Sequence, residues 1–541
     1  MNFSDRKNIN ILTSLLPKHG VRTAVVCPGS RNAPISHNLR AAGIECLSVT
    51  DERSAAFYAL GLTLAKNEPV AVCVTSGTAL LNLAPAVAEA AYRHVGLVVI
   101  SADRPADRIG QLAGQTLLQP GALGVHVGYC CSLPEPCDRS SERHCVRLVN
   151  DALLHLSGGK PVHINVPVSE PLYDFTVGEL PDVPVIHRIS SPVDADYLAR
   201  QAAAFLDSGH RPLVVIGQIA YYMDMSETIA RIGRRYAVLY ESLSATDGGL
   251  NLDLLAKLAA NTTSLQPDRV LYVGDTLVSN MIKRYLASLP DACTMGVNAD
   301  GEIHDTFMNI SAVAGCDPVA FLRSMAALEC GEDNIFRGLW EGMIKRSRQI
   351  TADTPPHSTE ARAVKMLEDA LKGKDVNMHY ANSTAIRLGN LYTTHYSYVN
   401  RGVNGIEGSL STAAGFSLAS DKPTFCVIGD LSFFYDSNAL WPVALDGRLR
   451  VMLLNNGGGK IFDTLPGARD SEAFRDLVKA SHQTSARGIC EAYGIGYIAC
   501  TDEASLPEAI HRLVDEPSDR PMLLEILLSA CRFGSPKNFE F

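Results

Sequence analysis

The residues of this chain best suited to chemistry lie between Gly429 and Gly459. Gly429-Asp430-Leu431-Ser432 follows the apolar run PTFCVI, and Asn455-Asn456-Gly457-Gly458-Gly459 follows RVMLL. An acid at one strand end, an amide at the next and glycines that expose backbone carbonyls make a set of hard oxygen ligands. Mg2+ or Ca2+ takes such ligands, and a diphosphate can complete the shell. Glycine also lets the backbone approach a phosphate closely. Each piece alone is equally a common turn. What raises the pair above two turns is its order, acid first, with Asn-Asn-Gly about 25 residues later. A second candidate is Thr50-Asp51-Glu52-Arg53, where two carboxylates precede a helical stretch. The helix macrodipole stabilises acids there without any catalytic role, and Asp51 and Glu52 compete for whatever role exists. Thr75-Ser76-Gly77-Thr78 after PVAVCV reads either as a ligand lining or as a helix N-cap.

The elements that must position these residues repeat one pattern. VRTAVVC, ECLSVT, PVAVCVT, LVVIS and PVHINV alternate with helical stretches such as RSAAFYALGLTLAK and LNLAPAVAEAAYRHV. Continuous apolar strands separated by amphipathic helices predict a parallel sheet covered on both faces. A second unit carries RPLVVIGQI, AVLYESL, RVLYVGDT, ACTMGVNAD and ISAVAG. A third carries VNMHYA, SYVNRG, PTFCVIGD, RVMLLNN and PMLLEILL. LPDVPVIHRISSP and ITADTPPHSTEAR read as the linkers between units. Fold class is therefore α/β, with three doubly wound parallel-sheet domains over 1–180, 190–345 and 360–541. Such sheets bind ligands at the C-terminal ends of their strands, where the candidates above sit.

The Asp430 to Asn456 arrangement resembles the diphosphate-binding motif of thiamine diphosphate-dependent enzymes, with Leu431 where the wider class has glycine. The resemblance implies a pyrimidine-binding first domain, a central domain and a diphosphate-binding third domain. Asp430, Asn456 and the backbone oxygen of Gly458 would hold Mg2+ (or Mn2+), and Gly429, Leu431, Ser432 and Ile461 would line the cofactor. Glu52 would face N1′ of the aminopyrimidine, favouring the tautomer that takes the proton from C2. Ile406 matches the bulky residue that wedges thiamine into its bent form, although an ordinary buried Ile fits as well.

The resemblance narrows with Cys27 to Arg31 (CPGSR), Asp51 to Ser54, Ser76 to Ala79, Ala102 to Pro105, Gly114 to Thr116, Asn400 to Gly402, Gly429 to Ser432 and Asn455 to Phe462. In this order they look like the 2-succinyl-5-enolpyruvyl-6-hydroxy-3-cyclohexene-1-carboxylate synthase family of menaquinone biosynthesis. This implies decarboxylation of 2-oxoglutarate and conjugate addition of the succinyl unit to isochorismate. Both substrates are dicarboxylates, and arginine grips a carboxylate with a planar fork. By family match Ser30, Arg31, Gln115, Ser383, Arg387 and Arg401 would contact substrate, and Ile461, Phe462 and Leu465 would form an apolar wall that excludes water. One departure concerns the central unit, where the family often has a basic pair soon after the strand matching RVLYVGDT. Here Val278 to Met281 fill that stretch and Lys283-Arg284 follow about a turn later.

Composition sets outer limits. The chain has 541 residues, 46% hydrophobic and 20% charged, as in ordinary globular proteins. Its net charge of −10 disfavours nucleic acid as a partner while permitting a local cationic pocket. No run is long and apolar enough to insert into a membrane, the N-terminus does not read as a signal peptide, and a cytoplasmic location is the default expectation. Cys130, Cys131, Cys137 and Cys145 lack the paired spacing of a zinc site. The resemblance implies a homodimer or homotetramer with active sites at the subunit interface. Two rivals remain. An acetolactate synthase or 2-oxo acid decarboxylase would share the cofactor motifs without needing three convergent arginines. A non-catalytic nucleotide-binding protein on the same fold would tolerate loss of Glu52 or Asp430.

Overall fold

The computed structural model describes residues 2–189, 193–329, 334–464, 467 and 470–527. The first sheet contains β1 (Thr23–Val26), β2 (Glu45–Ser48), β3 (Val70–Val74), β4 (Leu97–Asp103), β5 (Tyr129–Ser132) and β6 (Val162–Pro167), in the order β2-β1-β3-β4-β6-β5. The second contains β7 (Pro212–Ile216), β8 (Ala237–Tyr240), β9 (Arg269–Val273), β10 (Cys293–Asn298) and β11 (Ile310–Gly315), in the order β11-β10-β9-β7-β8. The third contains β12 (Asn377–Tyr380), β13 (Ser397–Tyr398), β14 (Thr424–Gly429), β15 (Leu449–Asn455), β16 (Gly496–Cys500) and β17 (Met522–Leu527), in the order β13-β12-β14-β15-β17-β16. All pairings within the three sheets are parallel. Relabelled from their own first strands, the first and third sheets have the same order, 2-1-3-4-6-5. The chain thus repeats one topology around a different central unit.

The strand sequences explain the double covering. In the first sheet Val25, Val72 and Val99 enter one buried cluster, while Ala24, Ala71 and Val98 enter another on the opposite face. The central sheet divides the same way, with Val214 and Leu271 on one side and Leu213 and Val270 on the other. Alternation of side chains with both faces apolar leaves no solvent side, so the strands read as continuous hydrophobic runs. The first and third units share a core through the helices Glu52–Lys66 and Ser409–Ala419. A Cβ on Gly61 would overlap the Thr412 carbonyl, and one on Gly415 would overlap the Tyr58 carbonyl, so two glycines permit this close crossing.

One expectation needs correction. ITADTPPHSTEAR is mostly helical, because the helix Ile335–Asp353 runs into it and the helix Thr359–Leu371 begins inside it. Only residues 354–358 are irregular, with Pro355 and Pro356 breaking the first helix and Ser358 capping the second through the Ala361 amide. Two strands have no apolar run to mark them in the sequence, β5 and β16, the edge strands on the far side of the first and third sheets. Both show exposed positions among buried ones, so neither carries a fully buried run. Among the described residues no helix is long and apolar enough to cross a membrane.

Candidate active site

Register brings the Asp430 and Asn456 segments together. Gly429 at the end of β14 lies opposite Leu454 of β15, so Asp430 leaves the sheet beside Asn455. Asp430 is buried at the start of the helix Asp430–Tyr435. Its Oδ1 accepts the Leu431 amide at 2.7 Å, while Oδ2 accepts the amides of Asn456, Gly457 and Gly458 at 3.1, 2.7 and 2.9 Å. Three successive N–H groups converging on one oxygen form an anion-binding nest. Its curvature needs φ of +80° at Gly457 and +138° at Gly458, and a Cβ on Gly458 would come within 2.8 Å of the Lys479 carbonyl. Neither position takes a side chain without strain.

The two asparagines differ. Asn455 Nδ2 donates to the Thr484 carbonyl and to Glu525 Oε1, so this side chain is committed to the fold. Asn456 Nδ2 donates to Glu360, but its Oδ1 is buried without a hydrogen-bond partner. A buried acceptor with no donor is costly unless something else satisfies it. The orphaned oxygen and the Asp430 carboxylate are hard donors of the kind a divalent cation takes, and the Gly458 carbonyl, which also accepts the Lys460 amide at 2.9 Å, keeps a second lone pair.

His482 also belongs here, although no sequence motif marked it. Its Nε2 is 3.3 Å from Asp430 Oδ2, and its Nδ1 accepts the Thr484 amide, which assigns the ring proton to Nε2. Phe434 meets the imidazole edge-on, and the His482 amide donates to the Gly457 carbonyl. Ser432 Oγ donates to the Ile406 carbonyl, tying the segment before the Ser409 helix to the clamp. Ile406 is 45% exposed, so its side chain is not part of the core. Ile461 and Phe462, both half-buried, sit on the 3-10 turn Lys460–Thr464 directly after the glycines. Leu465 lies outside the described residues.

On the first sheet, Val26 pairs with Ser48 and with Cys73, so the segments after β1, β2 and β3 emerge at one level. Asp51 Oδ1 caps the Glu52 helix through the Arg53 and Ser54 amides, and its Oδ2 accepts from Asn438. Glu52 accepts a hydrogen bond from Asn82 Nδ2 at 3.2 Å. Asp51 is thus engaged in capping the helix, a duty that Glu52 does not share. Arg31 is buried, donating to the Val168 carbonyl and to Glu170. Ser30 and Gln115 are exposed, and Gln115, at φ +60°, packs against Gly77.

A third group gathers where the central and third units meet. Arg401 donates to Asn382 Oδ1 and to the Leu277 carbonyl at 3.3 Å each, both long contacts. Ser383 begins the helix Thr384–Tyr392 at φ +71°, and Arg387 projects from that helix into solvent. Lys283, on the helix Asn280–Ala287, joins them. Burial holds its ammonium below the usual lysine range, and the Arg401 and Arg387 charges push the same way. Arg401 is likewise lowered, first by burial, with Arg387 adding to the effect and Glu241 opposing it. Among the described residues none of the three cations has a carboxylate within 4 Å. Glu241 is fully buried, accepts the Val278 and Ser279 amides, and its carboxyl is pushed up to about 6 by burial. It anchors the segment that precedes Lys283. Of the pair Lys283-Arg284, Lys283 thus lies in the field of Arg401 and Arg387.

Among the described residues, Glu52 and Arg31 make no hydrogen bond or ion pair to the Asp430 clamp or to the cationic group.

Residues 7–122 match the family model described as thiamine pyrophosphate enzyme, N-terminal TPP binding domain, and residues 382–526 match its C-terminal TPP binding counterpart. The chain is 42% identical to 2-succinyl-5-enolpyruvyl-6-hydroxy-3-cyclohexene-1-carboxylate synthase of Bacteroides thetaiotaomicron, covering 97% of this chain and 96% of that protein. It is 43% identical to the Bacteroides fragilis synthase over 97% and 96%, and 34% identical to that of Desulfotalea psychrophila over 97% and 98%. The chain belongs to this synthase family. Its outer units are thiamine diphosphate-binding domains, and the Asp430 and Glu52 segments fall inside one match each. The central unit, which contributes Lys283 and Glu241, lies outside both domain matches but within the full-length relatives.

Proposed function

We propose that this member of the family decarboxylates 2-oxoglutarate and adds the resulting succinyl unit to isochorismate, giving 2-succinyl-5-enolpyruvyl-6-hydroxy-3-cyclohexene-1-carboxylate and CO2. The observation that carries this reading is the group Lys283, Arg387 and Arg401, three cations that act on one another and have no carboxylate within 4 Å among the described residues. Such a group suits dicarboxylate substrates and is more than a small monocarboxylate requires. Asp430, the Asn456 side-chain oxygen and the Gly458 carbonyl would hold Mg2+ (or Mn2+) and the diphosphate, with Gly429, Leu431 and Ser432 beside them. When bound, thiamine diphosphate supplies a nucleophilic carbon and an electron sink for decarboxylation.

Glu52 would hold a proton at the aminopyrimidine nitrogen, its carboxylate being free of the capping duty that Asp51 performs. Ile406, exposed and projecting, would fill the space beneath the cofactor's bend. Ser30, Arg31, Gln115, Ser383, Arg387 and Arg401 would orient the substrates' carboxylates and hydroxyls, and Lys283 is added to that set. Ile461, Phe462 and Leu465 would keep water from the reacting carbon. The same reading divides the chain at 1–180, 190–345 and 360–541. It pairs the Glu52 half-site of one copy with the Asp430 half-site of another, in a cytoplasmic homodimer or homotetramer.

The test is CO2 release from 2-oxoglutarate with thiamine diphosphate and Mg2+, with and without isochorismate, and with pyruvate as the alternative donor. Isochorismate-dependent turnover with little use of pyruvate is expected. Acetolactate formation from pyruvate without isochorismate would overturn the substrate assignment.

A further inference from the structure

We infer that Glu89, on the helix Ala84–Tyr92 of the first unit, is a positioning residue that sets the direction in which Arg401 meets substrate. The inference rests on the reading of Arg401 as a substrate ligand.

Glu89 is 3% exposed and reaches across to the third unit. Its Oε1 accepts the Gly402 amide at 2.9 Å and its Oε2 accepts the Val403 amide at 2.7 Å. One carboxylate therefore grips two successive peptide groups, the first of which joins Arg401 to Gly402. A peptide unit is planar, so fixing that N–H fixes the plane that leaves the Arg401 Cα and, with it, the base of the guanidinium's arm. The approach is close enough to need glycine, because a Cβ on Gly402 would come within 2.7 Å of the Glu89 carbonyl and 3.0 Å of Arg93 Cγ.

Folding of the segment does not depend on this grip alone. Asn382 Nδ2 donates to the Asn400 and Gly405 carbonyls at 2.7 and 2.8 Å, closing the segment at both ends. Asn400 is tied to Thr412, and the Ile406 carbonyl to Ser432. What Glu89 adds falls on the two residues that immediately follow Arg401. Its charge lies in the field of Arg93 and Arg401, where it offsets part of the repulsion among Arg401, Arg387 and Lys283. A buried carboxylate without such compensation would be expensive.

Glu89→Gln keeps the volume but places an amide donor against one of the two N–H groups. The experiment is steady-state kinetics of the holoenzyme for Glu89→Gln, Arg401→Lys and the double variant, with thermal midpoints measured alongside. Arg401→Lys should raise the KM of at least one dicarboxylate. Glu89→Gln should raise the KM of that same substrate about tenfold, as loss of a charge-assisted hydrogen bond would, with kcat changed far less. The double variant should be no worse than Arg401→Lys, because coupled residues are not additive. Gly402→Ala, which pushes the segment off Glu89 without altering charge, should reproduce the effect and stands in if Glu89→Gln fails to fold. A KM unchanged in Glu89→Gln and Gly402→Ala, or effects that multiply in the double variant, overturns the inference while leaving Arg401 a ligand. If Arg401→Lys itself changes neither KM, the reading of Arg401 fails instead.

Discussion

Asn455 and Asn456 are adjacent, identical in type and opposite in duty. Asn455 spends its amide on Thr484 and Glu525, while Asn456 keeps one buried oxygen unpartnered beside Asp430. Asn456→Ala is therefore expected to weaken thiamine diphosphate binding in Mg2+ about tenfold or more, by analogy with the cost of losing a group that supports a metal site. The thermal midpoint of the cofactor-free protein should hardly move. Asn455→Ala should instead lower that midpoint, since it removes a donor from the buried Glu525 carboxylate at a cost of about 1–3 kcal/mol. Titration calorimetry and melting curves on the two variants check the contrast, and the reverse pattern would contradict it. The motif was legible from residue types and spacing, but the division of labour within it was not. Nothing in the string NNGGG says which amide meets Glu525, 70 residues away in sequence. His482 was invisible for the same reason, because its approach to Asp430 depends on how the chain returns past Gly457.

At the scale of elements, periodicity carried most of the fold. Strands buried on both faces announce themselves as apolar runs, whereas the half-exposed edges β5 and β16 do not. A Pro-Pro break read as a long linker proved to be five residues between two helices, since caps settle boundaries that composition cannot. Crossings are less legible still, and Gly61 and Gly415 give no sign in sequence that each faces a carbonyl of the other helix.

One electrostatic consequence of that packing is testable. Asp436 is buried against the start of the Ser409 helix, accepting the Ser411 amide and hydroxyl, with Arg53 and Asp51 as the charges that act on it. Burial raises its carboxyl from 3.8 to about 6. The folded chain therefore holds this proton more tightly than the unfolded chain. The stabilisation is complete below about pH 4 and is lost as pH rises through about 6, on the order of 3 kcal/mol in all. Asp436→Asn cannot ionise, so its thermal midpoint should gain on the wild type as pH rises across that window and level off above it. A constant offset from acid to neutral pH would contradict the assignment.

At the scale of the whole molecule, an acidic chain concentrates three cations where its central and third units meet, so net charge was a poor guide to the site. The resemblance implies the substrates and the motifs point to the Glu52 and Asp430 segments, but neither says which copy of the chain supplies each of them to one site. Trp441 and Val443 in the third unit and Leu112, Leu118 and Val125 in the first expose apolar side chains. The most direct measurement is complementation between Glu52→Gln and Asp430→Ala subunits, co-expressed with different tags and purified as hetero-oligomers. Each variant alone should be inactive in isochorismate-dependent CO2 release. The mixed assembly should recover activity, because one of its sites would combine an intact Glu52 from one copy with an intact Asp430 from the other. A mixed assembly as inactive as its parents, beside an active wild-type control, would contradict a site built between two copies of the chain.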